Sequence, residues 1–276
     1  MIASVNKTKE ILDKYSISAK KRYGQNFLID SNIVKKIVET AGVDESTIVI
    51  EIGPGLGSMT EELIKKAKKV ICFEVDHDMV NILTNELQSG NIEINEKDFL
   101  KVDLNEYLAD NYRTIVVSNL PYYITTPILS KLTTYESVSE IYVMVQDEVA
   151  LRIVSLPGTK DYGSFTVLMN YYYDCKYEFK VSRNCFYPSP NVDSAIVSIK
   201  RTKRDYGLNN EDKFVKFVHS IFENRRKTLI NNIMREYYIE KDKIERTIRE
   251  IGYSIDVRSE KLSINDIVSL YKGIGL

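Results

Sequence analysis

Histidine is scarce in this 276-residue chain: only His77 and His219 occur, far apart in sequence. That argues against a histidine-based catalytic triad and against a histidine-rich metal centre. Cysteine is nearly as sparse. Cys72, Cys175 and Cys185 are odd in number and scattered, with no Cys-x-x-Cys pair. They read as reduced core thiols of a cytoplasmic protein, neither a disulfide framework nor a zinc site, and no metal is expected. No apolar run approaches the ~20 residues that span a bilayer, and no membrane partner is expected. The first 24 residues carry lysine and arginine but no apolar segment of the leader type, which again points to the cytoplasm.

Net charge is also small, at −1, but it is unevenly distributed. Residues 1–30 carry +3 and residues 201–276 carry +4, so the middle of the chain is acidic by 8 charges. Basic ends on an acidic body fit a protein that meets a polyanion with its extremities, although charges that simply decorate solvated faces give the same totals.

What is present is alternation. Strand-like apolar runs fall at Ile48–Ile52, Val70–Val75, Ile92–Ile94, Ile115–Ser118 and Ile141–Val145. Helical stretches separate them, at about 58–67, 78–89, 104–110 and 125–134. This is βαβ repetition, which implies an α/β fold with a parallel sheet and helices on both faces. Upstream, Asp30 or Ser31 can cap a helix with Ile33, Ile37, Val38 and Ala41 on one face, ended by Gly42. Downstream come helices at about 146–155 and 163–173, and strands at Tyr177–Val181 and Ser194–Lys200. The polar, basic stretch 201–210 then reads as a linker. Beyond it Phe214, Phe217, Val218, Ile221, Phe222, Leu229 and Ile233 recur at helical spacing, followed by helices at about 240–251 and 263–273. The expected division is a domain over 1–203, with 1–22 a flexible basic arm, and a small all-helical domain over 204–276.

Chemistry concentrates at the ends of the strand-like runs. Gly53, Gly55 and Gly57 form a GxGxG turn between strand and helix, one residue shorter than the dinucleotide fingerprint GxGxxG. Glycines there let the backbone approach a ligand. Glu74 closes the next run, where a carboxylate can accept both hydroxyls of a ribose. Asp98 follows the third run and can accept from an adenine amino group, although alone it reads as readily as a solvated turn acid. Asn119-Leu120-Pro121-Tyr122 follows the fourth run. Pro121 must stop that strand, leaving an amide, backbone carbonyls and a ring at its carboxyl end. Alone the tetrad reads as a strand-to-turn junction. With the glycines and acids before it, it reads as a reaction floor beside a bound nucleoside that has no phosphate partner. That combination favours S-adenosyl-L-methionine over a nicotinamide dinucleotide.

In this ordered set the chain resembles the KsgA/RsmA family of small-subunit ribosomal RNA adenine dimethyltransferases. The resemblance rests on Gly24–Leu28, Glu51–Gly57, Phe73–Asp76, Asp98, Asn119–Tyr122, Phe186–Ser194 and Phe222–Leu229. It implies a Rossmann-like class I S-adenosylmethionine-dependent methyltransferase sheet with a small helical C-terminal domain. It implies dimethylation of two adjacent adenines near the 3′ end of small-subunit rRNA, within an immature small ribosomal subunit, during subunit biogenesis. It places the loop of Gln25, Asn26 and Leu28 over the cofactor and makes Phe186 a second ring for the target base. Expected catalytic residues are therefore Asn119, Leu120, Pro121, Tyr122 and Phe186. Expected cofactor ligands are Gln25, Asn26, Leu28, Gly53, Gly55, Gly57, Glu74, Asp98 and Asn119. Arg22, Arg226 and Lys227 are candidate RNA contacts, whereas Arg225 points toward the apolar helix face. A monomer is expected. Two rivals share these features: a large-subunit rRNA adenine N6-methyltransferase conferring macrolide resistance, and a non-catalytic ribosome-assembly or nucleic-acid-binding factor.

Overall fold

The computed structural model describes residues 1–276 except 21–22, 109–111 and 203, so Arg22 lies outside the described residues. Along the chain run α1 (Val5–Lys14), β1 (Phe27–Leu28), α2 (Ser31–Thr40), β2 (Thr47–Ile52), α3 (Thr60–Leu63), β3 (Lys69–Glu74), α4 (His77–Glu86), β4 (Ile92–Glu96), β5 (Arg113–Asn119) and α5 (Thr125–Leu132). They are followed by β6 (Val138–Gln146), α6 (Asp147–Ile153), α7 (Ser164–Tyr172), β7 (Tyr173–Val181), β8 (Phe186–Tyr187), β9 (Ser194–Arg201), α8 (Glu211–Phe222), α9 (Leu229–Glu236), α10 (Lys241–Glu250) and α11 (Ile264–Ile274).

Seven strands form one sheet in the order β4-β3-β2-β5-β6-β9-β7, and β1 pairs with β8 in a separate two-stranded ribbon. Strands β2 to β6 are mutually parallel, whereas β9 runs antiparallel to β6. The apolar runs read from the sequence thus become the parallel core of the sheet. Side-chain alternation explains how it is covered. Val49, Val70, Cys72, Ile115 and Val117 face one side, where Val34, Ile37, Val38 and Ala41 of the α2 region bury them. Asp30 fixes the start of that helix by accepting the backbone N–H groups of Asn32 and Ile33.

Two expectations change. The N-terminal segment is not a loose arm. Ser4 caps α1, the Ile2 backbone N–H donates to the Glu61 carboxylate at 2.7 Å, and Lys14 pairs with Glu86 at 2.5 Å. Ile2, Ile11 and Leu12 are buried with Met79, Ile82 and Leu83 of α4. Each such burial contributes roughly 1.5–3 kcal/mol against the entropy of ordering the segment. Of the helix expected over 104–110, whose residues 109–110 lie outside the described residues, a single 3₁₀ turn at Leu104–Glu106 is found, after another at Phe99–Lys101. Asp98 and Asp103 take the N–H groups of Leu100 and Asn105, and such local bonds compete with helix propagation.

The chain divides into two compact units, residues 1–150 with 176–201 and residues 151–175 with 202–276. The expected boundary at 203/204 therefore misses residues 151–175. In that second unit Val167 and Tyr171 of α7 share a core with Phe214, Phe217 and Ile221 of α8, and the Tyr171 hydroxyl donates to Glu211 at 3.0 Å. Tyr171 also stacks on Tyr206, with ring centroids 4.9 Å apart, so this ring serves packing. Helices α10 and α11 fall where periodicity put them, and α11 opens with a reciprocal Ser263–Asp266 capping box. Among the described residues no helix is long and apolar enough to cross a membrane.

Candidate active site

Strand order reverses between β2 and β5, and in open α/β sheets that is where ligands bind, beyond the carboxyl ends of the strands. A cavity of about 230 Å³ lies there. Its walls come from the turn after β2, the ends of β3 and β4, the tetrad after β5, and the loop 23–28.

The turn after β2 needs its glycines. Gly53 and Gly55 hold φ of +69° and +57°, and a Cβ on Gly55 would sit 3.3 Å from the Phe27 ring. Glu74 locks this turn from the next strand. One of its oxygens accepts the Gly55 N–H at 3.1 Å, and the other accepts the N–H groups of Val75 and Asp76 at 2.9 and 3.0 Å. The carboxyl is 6 % exposed, and burial pushes its pKa up against the pull of those three donors. Asp98 caps the turn after β4 through one oxygen and stays partly exposed at the cavity wall.

The loop 23–28 is tied down rather than free. The Gln25 side-chain oxygen accepts the Lys20 N–H and its amide donates to Asp76, both at 2.8 Å. Lys20 Nζ also reaches Asp76, at 2.6 Å. Asp76 caps α4 and additionally anchors this loop. The Asn26 amide donates to the Gly24 carbonyl. Gln25 and Asn26 line the cavity, but their amides hold the loop shape. Leu28 lines it from β1.

At the end of β5 the tetrad is arranged with one amide and one carbonyl open. The Asn119 amide donates to the Asn26 carbonyl at 3.4 Å, which directs its oxygen elsewhere, and that oxygen has no partner among the described residues. The Leu120 N–H donates to Met144, while the Leu120 carbonyl accepts nothing among the described residues. The Pro121 carbonyl is occupied by the Ile124 N–H and the Thr125 hydroxyl, each at 3.2 Å. Of the Leu120 and Pro121 carbonyls, that of Leu120 is therefore the one available. Tyr122 and the exposed Tyr123 add rings to the cavity wall, and the Tyr122 hydroxyl bonds Ser194 at 2.6 Å. Burial raises the Tyr122 pKa, so the phenol stays neutral.

Four expected residues are not where the sequence reading put them. Phe186 is 2 % exposed and belongs to the core with Leu28, its cross-strand partner; it does not line the cavity. Pairing of β1 with β8 turns its ring inward. Gly57 also lies off the cavity: its φ is +85°, and a Cβ there would meet Leu87 and Leu83 of α4 at 2.6 and 2.9 Å. Arg226 and Lys227 are exposed, as expected, but sit in the turn between α8 and α9 rather than on a helix. Arg225 is structural as expected, bonding Glu260 and the carbonyls of Lys160 and Tyr162.

Sequence reasoning missed Glu51 and Ser58. Glu51 lines the cavity but is 1 % exposed, partnered by the Thr60 hydroxyl at 2.7 Å and the Cys72 thiol. Burial raises its pKa to about 8, so it is a neutral acid at pH 7. The signal was a lone charge inside the apolar run Ile48–Ile52. The Ser58 hydroxyl, also on the cavity wall, is buried with no partner among the described residues. A buried polar group without a partner is costly, so it marks a place for a bound molecule. Lys97 is the one cation on the wall among the described residues, beside Asp98 and Glu74. Such a wall suits a nucleoside bearing positive charge better than one bearing phosphate.

Comparison with known proteins agrees. The model of a family described as ribosomal RNA adenine dimethylase matches residues 16–275. A "Ribosomal RNA small subunit methyltransferase A" of Geobacillus thermodenitrificans is 43 % identical over 98 % of this chain and 95 % of its own length. Among solved structures, a dimethyladenosine transferase from Plasmodium falciparum superposes with a TM-score of 0.75 at 24 % identity, covering 90 % of this chain and 98 % of its own. The 23S rRNA methyltransferase ErmE superposes at 0.72 with 25 % identity, covering 91 % and 100 %. A family model that spans nearly the whole chain, and a cavity at the sheet's switch point holding the glycine turn, the acids and the Asn-Leu-Pro-Tyr tetrad, lead to one assignment: the chain belongs to the ribosomal RNA adenine dimethylase family.

Proposed function

We propose that this protein is an S-adenosylmethionine-dependent enzyme that dimethylates the N6 amino groups of two adjacent adenines near the 3′ end of small-subunit rRNA. The observation that carries the proposal is the open pair of acceptors, the Asn119 side-chain oxygen and the Leu120 carbonyl, on the wall of the same cavity as the Glu74-locked glycine turn. Identity of 43 % along the chain to a small-subunit methyltransferase, against 25 % to ErmE, supports the small subunit as the target.

The cavity fits the cofactor. Gly53 and Gly55 line it at positive φ, Glu74 and Asp98 on its wall would serve as acceptors for ribose hydroxyls and an adenine amino group, and the Ser58 hydroxyl has no partner among the described residues. When bound, the cofactor supplies a methyl group already activated by a positively charged sulfur. The protein's task is then orientation. An adenine amino nitrogen is a weak nucleophile because its lone pair is delocalised into the ring. Acceptance of its two hydrogens by Asn119 and Leu120 favours a pyramidal nitrogen with the lone pair directed at the donor. Tyr122 supplies the face on which the unstacked base rests, worth ~1–3 kcal/mol. No general base is needed before attack.

We further propose that the unit of residues 1–150 and 176–201 binds cofactor and base, that the helical unit meets RNA through exposed cations including Arg226 and Lys227, and that the protein acts as a cytoplasmic monomer on an immature small subunit. Incubation with labelled S-adenosylmethionine and either small subunits or isolated large-subunit rRNA tests the proposal. Label on small-subunit rRNA supports it. Label confined to large-subunit rRNA supports the resistance-type rival. Subunit binding without any transfer supports a non-catalytic assembly factor.

A further inference from the structure

We infer that Ser194 is a positioning residue that sets the ratio of mono- to dimethylated product by holding the Tyr122 ring. The inference rests on the proposed role of Tyr122 as the face supporting the target base.

Topology brings the two residues together. β9 runs antiparallel to β6, so its first residue, Ser194, pairs with Gln146 at the carboxyl edge of the sheet. The tetrad leaves β5 at that same edge. Ser194 is fully buried, and its backbone is held by the β6 ladder. Its hydroxyl lies 2.6 Å from the Tyr122 hydroxyl. The ring therefore hangs between two fixed points, its own backbone in the 3₁₀ turn Tyr122–Ile124 and the Ser194 hydroxyl. Tyr123, the next ring along, is instead exposed. The Ser194 bond ties the Tyr122 ring at its far end as well.

The two methyl transfers depend on that fixed ring unequally. At each transfer an N–C bond replaces an N–H bond, the sulfur of the donor keeps the electron pair of its broken S–C bond, and the displaced proton leaves to water. The first transfer starts from an amine with two hydrogens, which engage both the Asn119 oxygen and the Leu120 carbonyl. The second starts from a methylamine with one hydrogen, so one acceptor loses its partner. Orientation of the base then depends more on the ring beneath it. Loosening Tyr122 thus slows the second transfer more than the first.

The test uses the full-length protein with small subunits lacking the modification. Ser194→Ala and Tyr122→Phe each remove one half of the hydroxyl bond and leave the ring, and a thermal melt of each variant confirms that it is folded. The expected result is a rise in the ratio of monomethyl- to dimethyladenosine in both variants, with kcat for the second transfer lowered roughly three- to ten-fold, the scale of one net hydrogen bond. KM for the cofactor stays unchanged. The double variant should be no worse than either single one, because both break the same bond. Equal slowing of both transfers, or additive losses in the double variant, would overturn the inference and leave Ser194 a core residue. Tyr122→Ala separates this outcome from failure of the underlying reading: full activity there would remove Tyr122 itself from the site.

Discussion

The Glu74 carboxylate accepts the backbone N–H of Gly55 at 3.1 Å, joining the end of β3 to the turn after β2 across 19 residues of sequence. The acid that faces the cavity also sets the shape of the glycine turn that receives the ligand. One carboxylate therefore has two tasks, and its loss should be felt in cofactor binding before it is felt anywhere else.

Glu74→Ala is expected to raise the cofactor Kd by at least about ten-fold, since it removes a buried acceptor and leaves three N–H groups without it. Calorimetric titration with S-adenosylhomocysteine measures this directly. RNA affinity should be nearly unaffected. A variant that lost RNA affinity alone would show that the ribose assignment is wrong.

Asn119→Ala should behave in the opposite way. With its open oxygen assigned to the base in the proposed function, transfer should fall by roughly 10²-fold or more while cofactor affinity stays largely intact. Single-turnover methyl transfer, paired with the same titration, separates the two effects. Wild-type turnover in the variant would remove Asn119 from the chemistry.

Glu51 gives a pH signature. Its carboxyl is raised from 4.5 to about 8 by burial, so between those values the folded protein binds a proton that the unfolded chain has released. Stability attributable to this group is therefore present below about pH 4.5 and declines as pH rises toward 8. Glu51→Gln removes the cost of ionising a buried acid. Thermal melts of the ligand-free protein from pH 5 to 9 should show a flatter profile for the variant, with its advantage over the parent growing toward high pH. Parallel profiles would mean that Glu51 is ionised in the fold.

Gly57→Ala separates packing from binding. The substitution forces a side chain onto a φ of +85° and drives a Cβ to 2.6 Å from Leu87. A loss of about 2–4 kcal/mol in denaturant unfolding is expected, with cofactor affinity of the folded fraction retained because Gly57 does not line the cavity. Gly55→Ala, on the wall itself, should weaken cofactor binding.

Which of these features could be read from the sequence follows from how locally each is encoded. The strand ends were legible because apolar β-branched runs stop at Gly53, Glu74 and Pro121, and a residue's place at a strand end is a local property. Their convergence followed from the βαβ pattern, which fixes a parallel sheet and hence one edge for every carboxyl end. Docking of α1 was not legible, since Ile2, Ile11 and Leu12 are too few to show a helical stripe. The anchoring of Gln25 by Asp76 joins residues 51 apart and leaves no trace in spacing. The inward turn of Phe186 depends on the pairing of β1 with β8, two strands of two residues each, below the length at which alternation can be recognised. Glu51 was legible in principle, as the lone acid in the apolar run Ile48–Ile52, but that run's burial on both faces of the sheet becomes visible only in the fold.

Mass spectrometry of small-subunit rRNA, incubated with the parent protein or with Asn119→Ala, decides whether this protein dimethylates that RNA through Asn119. Two adjacent N6,N6-dimethyladenosines near the 3′ end are expected with the parent, and unmodified adenines there with the variant. Dimethyladenosine absent from small-subunit rRNA but present in large-subunit rRNA treated alongside it, or modification that persists in the variant, would contradict the proposed function.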